Sequence, residues 1–119
     1  TIDMITSDHN PIDIEHKKME FDLAKNGTIG LESAFGALLN VLPLDVIISK
    51  LTNGKPTFGT ENSAIKEGAA ADLTFFNPKS EWIFGKENIL SKSKNSAFLG
   101  EKMIGKVYGI YNNGTLILA

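Results

Sequence analysis

A change of hydrophobic period near residue 60 constrains this chain most. Upstream, Leu31, Ala34, Phe35, Leu38 and Leu39 recur at helical spacing, which gives one apolar stripe. Glu32 stands in the first turn, where the helix dipole favours an anion. Leu44, Ile47, Ile48 and Leu51 repeat the pattern after Pro43, which suits a first helical position, and Asn53-Gly54 supplies a stop. Lys55-Pro56-Thr57-Phe58-Gly59 reads as one further turn. Downstream the signal is β: residues 73–76, ended by Asn77-Pro78, then 82–84, then 106–119. Both residues of Asn113-Gly114 tolerate positive φ, so residues 104–119 are expected to form a hairpin with a type I′ turn there. The expected organisation is an α/β region over residues 1–60 and a small antiparallel β subdomain over 61–119.

The remaining segments place polar groups rather than core. Residues 1–6, with Ile2, Met4 and Ile5, read as a short buried strand that delivers Ser7-Asp8-His9 at its C-terminal end, where α/β folds put their chemistry. Residues 9–29 have no clear period and form a long loop, with one helical turn expected between Glu15 and Leu23. Loops of that length in compact domains are commonly functional. The chain begins at Thr1, inside an apolar run, which is the expectation for an excised piece.

Charge and composition exclude several function classes. The net charge is −2, with lysines and carboxylates interspersed, which argues against a nucleic-acid or membrane-surface partner. Cysteine is absent, so disulfides and thiolate metal sites are excluded. No stretch has the apolar length of a transmembrane helix or the layout of a signal peptide, and the expected location is the cytoplasm. All 12 basic residues are lysine, so an acidic substrate would have to find its bidentate arginine elsewhere.

Specific motifs lie on this frame. Ser7-Asp8-His9-Asn10-Pro11 is followed by Lys17, Glu20-Phe21 and Gly27-Thr28-Ile29-Gly30-Leu31-Glu32-Ser33. Further on come Ile65-Lys66-Glu67-Gly68, Ala71-Asp72-Leu73-Thr74, Ser91-Lys92-Ser93-Lys94-Asn95-Ser96-Ala97-Phe98-Leu99-Gly100 and Gly105-Lys106-Val107. In order and spacing these resemble the C-terminal part of a long-loop dihydroorotase of the amidohydrolase superfamily. The resemblance implies the end of a (β/α)8 barrel: last strand, active-site loop and two or three helices, then the small β subdomain.

It also implies a zinc-dependent cyclic amide hydrolase that interconverts N-carbamoyl-L-aspartate and L-dihydroorotate in pyrimidine biosynthesis. Asp8 would be the last barrel carboxylate, ligating zinc and relaying the proton. Asn26 and Gly27 would lie beside the substrate ring, where the family has Phe-Gly, with Lys25 in place of its proline. Ile12 stands where the family has a histidine that meets the substrate carboxylate, and isoleucine neither donates a hydrogen bond nor carries charge. His9 would brace the strand-end turn. His16 reads as solvated, although it could substitute for the missing histidine.

The alternative is a non-catalytic homologue serving as a structural partner of aspartate transcarbamoylase, which Ile12 and Lys25 favour. Hydantoin or allantoin hydrolysis is a weaker third. One carboxylate and two histidines cannot furnish the converging ligands of a zinc site, so the isolated chain is expected to be inactive and to hold no zinc tightly. It is also expected to self-associate, because residues 1–6 and the Leu31 helix would lack their barrel neighbours. Trp82, Phe84 and Phe98 are expected in the core.

Overall fold

The computed structural model describes residues 2–60 and 64–119. Three α-helices precede a three-stranded sheet: α1 Ile14–Lys17, α2 Leu31–Leu39, α3 Leu44–Thr52, then β1 Asp72–Ile83, β2 Lys102–Asn112 and β3 Thr115–Leu118. Single 3-10 turns cover Lys55–Phe58 and Lys86–Asn88. The sheet is antiparallel throughout, in the order β1-β2-β3.

Both long helices lie where their periodicity puts them. Pro43 caps α3 in extended conformation, and the turn after α3 ends at Gly59 in the left-handed region, φ 71°. The expected turn in the long loop is α1, shorter and earlier than residues 15–23. Asp13 sets its start, since its carboxylate accepts the His16 N–H at 2.9 Å. A separate turn follows, closed by the Ala24 N–H donating to the Glu20 carbonyl at 2.9 Å.

The expected strand at residues 1–6 is not a strand in its described part, residues 2–6, and Thr1 lies outside the described residues. A barrel strand is held by neighbours on both sides, and none of the described strands lies beside this one. It is tied instead to α3. The Ile5 N–H donates to the Lys50 carbonyl at 3.1 Å, and Lys50 Nζ donates to the Ile2 carbonyl at 2.6 Å.

Pro78 does not end the first β run, contrary to expectation. β1 continues to Ile83 because the proline falls in a register irregularity between Asn77 and Glu81, where no ladder N–H is required of it. There Pro78, Lys79 and Ser80 stand opposite Gly105 alone, and the Asn77 side chain accepts the Lys79 N–H at 3.0 Å. The C-terminal hairpin forms as expected, with its first strand beginning at Lys102. Asn113 and Gly114 adopt φ 47° and 79°, the double positive that a type I′ turn needs.

The stripe of α2 finds a partner inside the chain, which corrects the expectation that it would face missing neighbours. It packs on β2 and β1. Gly36 lies against the Met103 side chain, the Phe35 ring meets Phe76 edge-on at 4.9 Å, and Leu39 closes over Gly105. Leu31, at the start of the stripe, remains exposed. Among the described residues the buried apolar side chains are Ile29, Ile47, Phe84, Ile89 and Met103, and Ala37 and Trp82 pack against the cluster of Ile29, Phe84, Ile89 and Met103. Phe84 and Trp82 are thus core as expected, whereas Phe98 lies at the exposed rim. The radius of gyration is 16.3 Å, wider than the roughly 13.5 Å of a compact domain of this length, so the core is small for the chain.

Candidate active site

The turn that carries Asp8 is fixed by a histidine. His9 Nδ1 accepts the backbone N–H groups of Gly30 at 3.1 Å and Leu31 at 3.2 Å, so it caps α2, whose own N-cap residue is a glycine without a side chain. Accepting there assigns the imidazole proton to Nε2. Glu32 Oε2 lies 3.8 Å from the same nitrogen, but this is no ion pair while Nδ1 accepts. That oxygen is buried and meets no hydrogen-bond donor among the described residues, whereas Oε1 accepts the Ser91 N–H at 2.9 Å. Gly30 is needed for the approach. A Cβ there would lie 2.7 Å from the Ser7 carbonyl oxygen.

Asp8 itself is exposed and sits at φ 45°, a left-handed conformation that a non-glycine residue adopts at some cost. The turn therefore holds the carboxylate outward, clear of the core. The expected ring-side residues converge beside the same turn. Gly27, at φ 139°, lies so close to two neighbours that a Cβ would stand 2.7 Å from Ile12 Cγ1 and 2.8 Å from Asn10 Nδ2. Asn10 bridges the two arms of the loop, its N–H donating to the Thr28 carbonyl at 2.9 Å and its side chain to the Asn26 carbonyl at 3.4 Å. Ile12 is half-buried, Asn26 exposed. Ile12 and Gly27, 15 apart in sequence, form one surface.

His16 is partly solvated, as expected, and is also held by Asp13, its Nδ1 lying 2.6 Å from Asp13 Oδ1. The His16 N–H donated to the carboxylate, followed by this side-chain bond, keeps the Asp13 carboxyl below its ordinary value. Lys25 is exposed, and its backbone is pinned on both sides, its N–H to the His16 carbonyl at 3.1 Å and its carbonyl by Lys17 Nζ at 2.6 Å.

The donor set of the segment is too small for a zinc site. Among the described residues no group of three or more His, Asp or Glu side chains converges, and the imidazole next to Asp8 is committed to backbone amides. Asp8 alone does not fit the ion, so any centre it serves takes its other ligands from elsewhere. An open cleft of about 800 Å³ lies between Pro11 to Ile14 and the segment from Lys86 to Leu99, but Asp8, Asn26 and Gly27 do not line it.

What sequence reasoning missed is the clasp across the loop. Ser93 and Asn95, quoted only as part of a motif, hold the backbones of Ile12 and Gly27. Polar side chains in a segment without periodicity were the available signal.

No protein-family model matches the chain. Curated relatives do. The dihydroorotase of Endomicrobium trichonymphae is 45% identical over 113 residues, 88% of this chain and 27% of that protein. That of Geotalea daltonii is 40% identical over 111 residues, covering 88% and 26%. That of Caldicellulosiruptor saccharolyticus is 37% identical over 123 residues, covering 98% and 29%. The chain belongs to the dihydroorotase family. The chain spans between a quarter and a third of the length of the curated relatives it matches.

Its fold agrees with a solved D-hydantoinase (dihydropyrimidinase) from Thermus sp., with a TM-score of 0.83 over 98% of this chain and 28% of that one, at 21% identity. The likeness assigns the fold: the C-terminal end of an α/β barrel followed by a small antiparallel sheet. No helix among the described residues is long and apolar enough to cross a membrane.

Proposed function

We propose that this segment carries one wall of the active site of a zinc-dependent cyclic amide hydrolase, which interconverts N-carbamoyl-L-aspartate and L-dihydroorotate in cytoplasmic pyrimidine biosynthesis. The observation that supports it is the meeting of Ile12 and Gly27 beside the Asp8 turn, in a chain 37–45% identical to curated dihydroorotases. In this reading residues 1–60 end the barrel and 61–119 form the subdomain beside it.

Asp8 is the carboxylate the segment contributes. Its outward, strained placement suits a group that ligates metal and holds a proton in transit to the amide nitrogen. Asn26 and Gly27 border the ring, with Gly27 leaving backbone rather than side chain at that surface. The apolar Ile12 cannot bind the substrate carboxylate, so that group is held from outside the segment. The complete protein is a homo-oligomer in this reading, and the isolated 119 residues neither turn over substrate nor keep zinc through dialysis.

Ile12 and Lys25, which stand where the family has histidine and proline, favour one other reading, a non-catalytic partner of aspartate transcarbamoylase. The experiment is purification of the complete protein carrying this segment, with metal analysis and assay of dihydroorotate ring opening. Stoichiometric zinc with turnover supports the enzyme. Absence of turnover in zinc-replete protein overturns it, and a stable complex with the transcarbamoylase would then establish the second reading.

A further inference from the structure

We infer that Asn95, supported by Ser93, is the positioning residue that sets the placement of the ring-side Gly27 relative to Ile12, and so tunes which cyclic amide the site accepts. The inference rests on the proposed hydrolase reading.

The two loop arms that carry Ile12 and Gly27 are each gripped from the same short segment, far away in sequence. Asn95 Nδ2 donates to the Gly27 carbonyl at 3.0 Å, and Ser93 Oγ donates to the Ile12 carbonyl at 2.6 Å. The two grips are coupled, because the Asn95 N–H donates to Ser93 Oγ at 3.3 Å. The Asn95 backbone carbonyl adds a separate tether: it accepts the Ile29 N–H at 3.0 Å and the Thr28 hydroxyl at 3.2 Å. Ile29 is buried in the core, so the segment is anchored independently of the Asn95 side chain.

This division of labour separates position from fold. The backbone tether and the buried Ile29 hold the segment in place. The side-chain amide of Asn95 meets the loop at Gly27, where the positive φ and the contact with Ile12 leave little freedom. A shift of the Gly27 carbonyl therefore moves the surface offered to the ring. Misplacement on the order of 1 Å changes turnover by about a hundredfold when geometry is the limiting factor.

Asn95→Asp keeps the shape and the backbone tether but points a carboxylate oxygen at the Gly27 carbonyl instead of a donor. Ser93→Ala removes only the Ile12 grip. In the complete protein carrying this segment, the informative readout is the ratio of kcat/KM for dihydroorotate to that for dihydrouracil, which lacks the carboxylate. A purely structural residue would lower both values together, along with the melting temperature. We expect N95D to change the ratio by about tenfold or more, S93A to change it in the same direction by less, and both to melt within a few degrees of the parent. An unchanged ratio in N95D overturns the inference.

If the parent hydrolyses neither compound, the functional reading fails and amide exchange decides the clasp. Faster exchange in N95D confined to residues 9–12 and 26–28, with Ile29 still protected, supports it. Exchange unchanged there, or raised throughout the chain, overturns it.

Discussion

Replacing Gly27 with alanine should detach the candidate active-site loop while leaving the core folded. Two penalties combine at this position. At φ 139° a side chain is strained, at about 1–3 kcal/mol. The new Cβ would also stand 2.7 Å from Ile12 Cγ1 and 2.9 Å from Asn10 Cγ, overpacking that costs about 1–3 kcal/mol more. Neither neighbour yields freely, since both contacts involve atoms near the backbone. The Asn10 N–H is moreover bonded to Thr28, and the carbonyl of Ile12 to Ser93. Against this, the bonds made at Gly27 and Asn10 themselves are three, Asn10 N–H to Thr28, the Asn10 side chain to Asn26, and Asn95 to Gly27. At about 0.5–1.5 kcal/mol each they total roughly 3 kcal/mol.

The strain matches the restraint, so the loop opens locally and the cooperative core does not. Amide exchange at Asn10 should rise roughly a hundredfold, since each 1.4 kcal/mol is tenfold, with Met103 unchanged. Gly59→Ala is the control: at φ 71° with no described atom within 4 Å of the new Cβ, it pays for conformation alone, about 1 kcal/mol, and leaves Asn10 unaffected. Wild-type protection of Asn10 in Gly27→Ala would refute the reasoning.

Two other outcomes follow from the same geometry. Gly105→Ala combines φ 85° with a Cβ pressed onto the Leu39 side chain, so it should destabilise the α2–β2 contact by about 2–4 kcal/mol, read as a lower denaturation midpoint; an unchanged midpoint counts against the packing described. The Asp13 cap makes α1 sensitive to acid. Because the folded carboxyl is held below its ordinary value of about 3.9, its contribution is full above that pH and is lost as the pH falls further, so NMR shifts of residues 14–17 should lose helical character only below about 4.

How much of this was legible in the sequence depended on whether the information was local. α2 and α3 followed from stripes that one face must bury, and the hairpin from a dipeptide whose backbone preference is intrinsic. The strand expected at residues 1–6 does not form over its described part, 2–6, for the opposite reason: Ile2, Met4 and Ile5 mark an apolar run, but strand pairing depends on distant neighbours that no local pattern names. Pro78 misled because its effect depends on an opposing Gly105 that is 27 positions away in sequence. In the site, Asp8, Ile12 and Gly27 were visible through a family resemblance. The roles of Ser93 and Asn95 were not, since a polar residue in an irregular segment carries no mark of the carbonyl it will meet.

The central claim is that Asp8 serves the chemistry of a cyclic amide hydrolase, and Asp8→Asn in the complete zinc-loaded protein tests it most directly. Asparagine also suits the left-handed φ of 45°, so the turn should survive and melting should be unaltered. Only the ability to carry a proton and a negative charge is removed. The account predicts that the parent opens the dihydroorotate ring and that this variant loses activity by about a thousandfold or more with the fold intact. Turnover in Asp8→Asn within tenfold of the parent would contradict it.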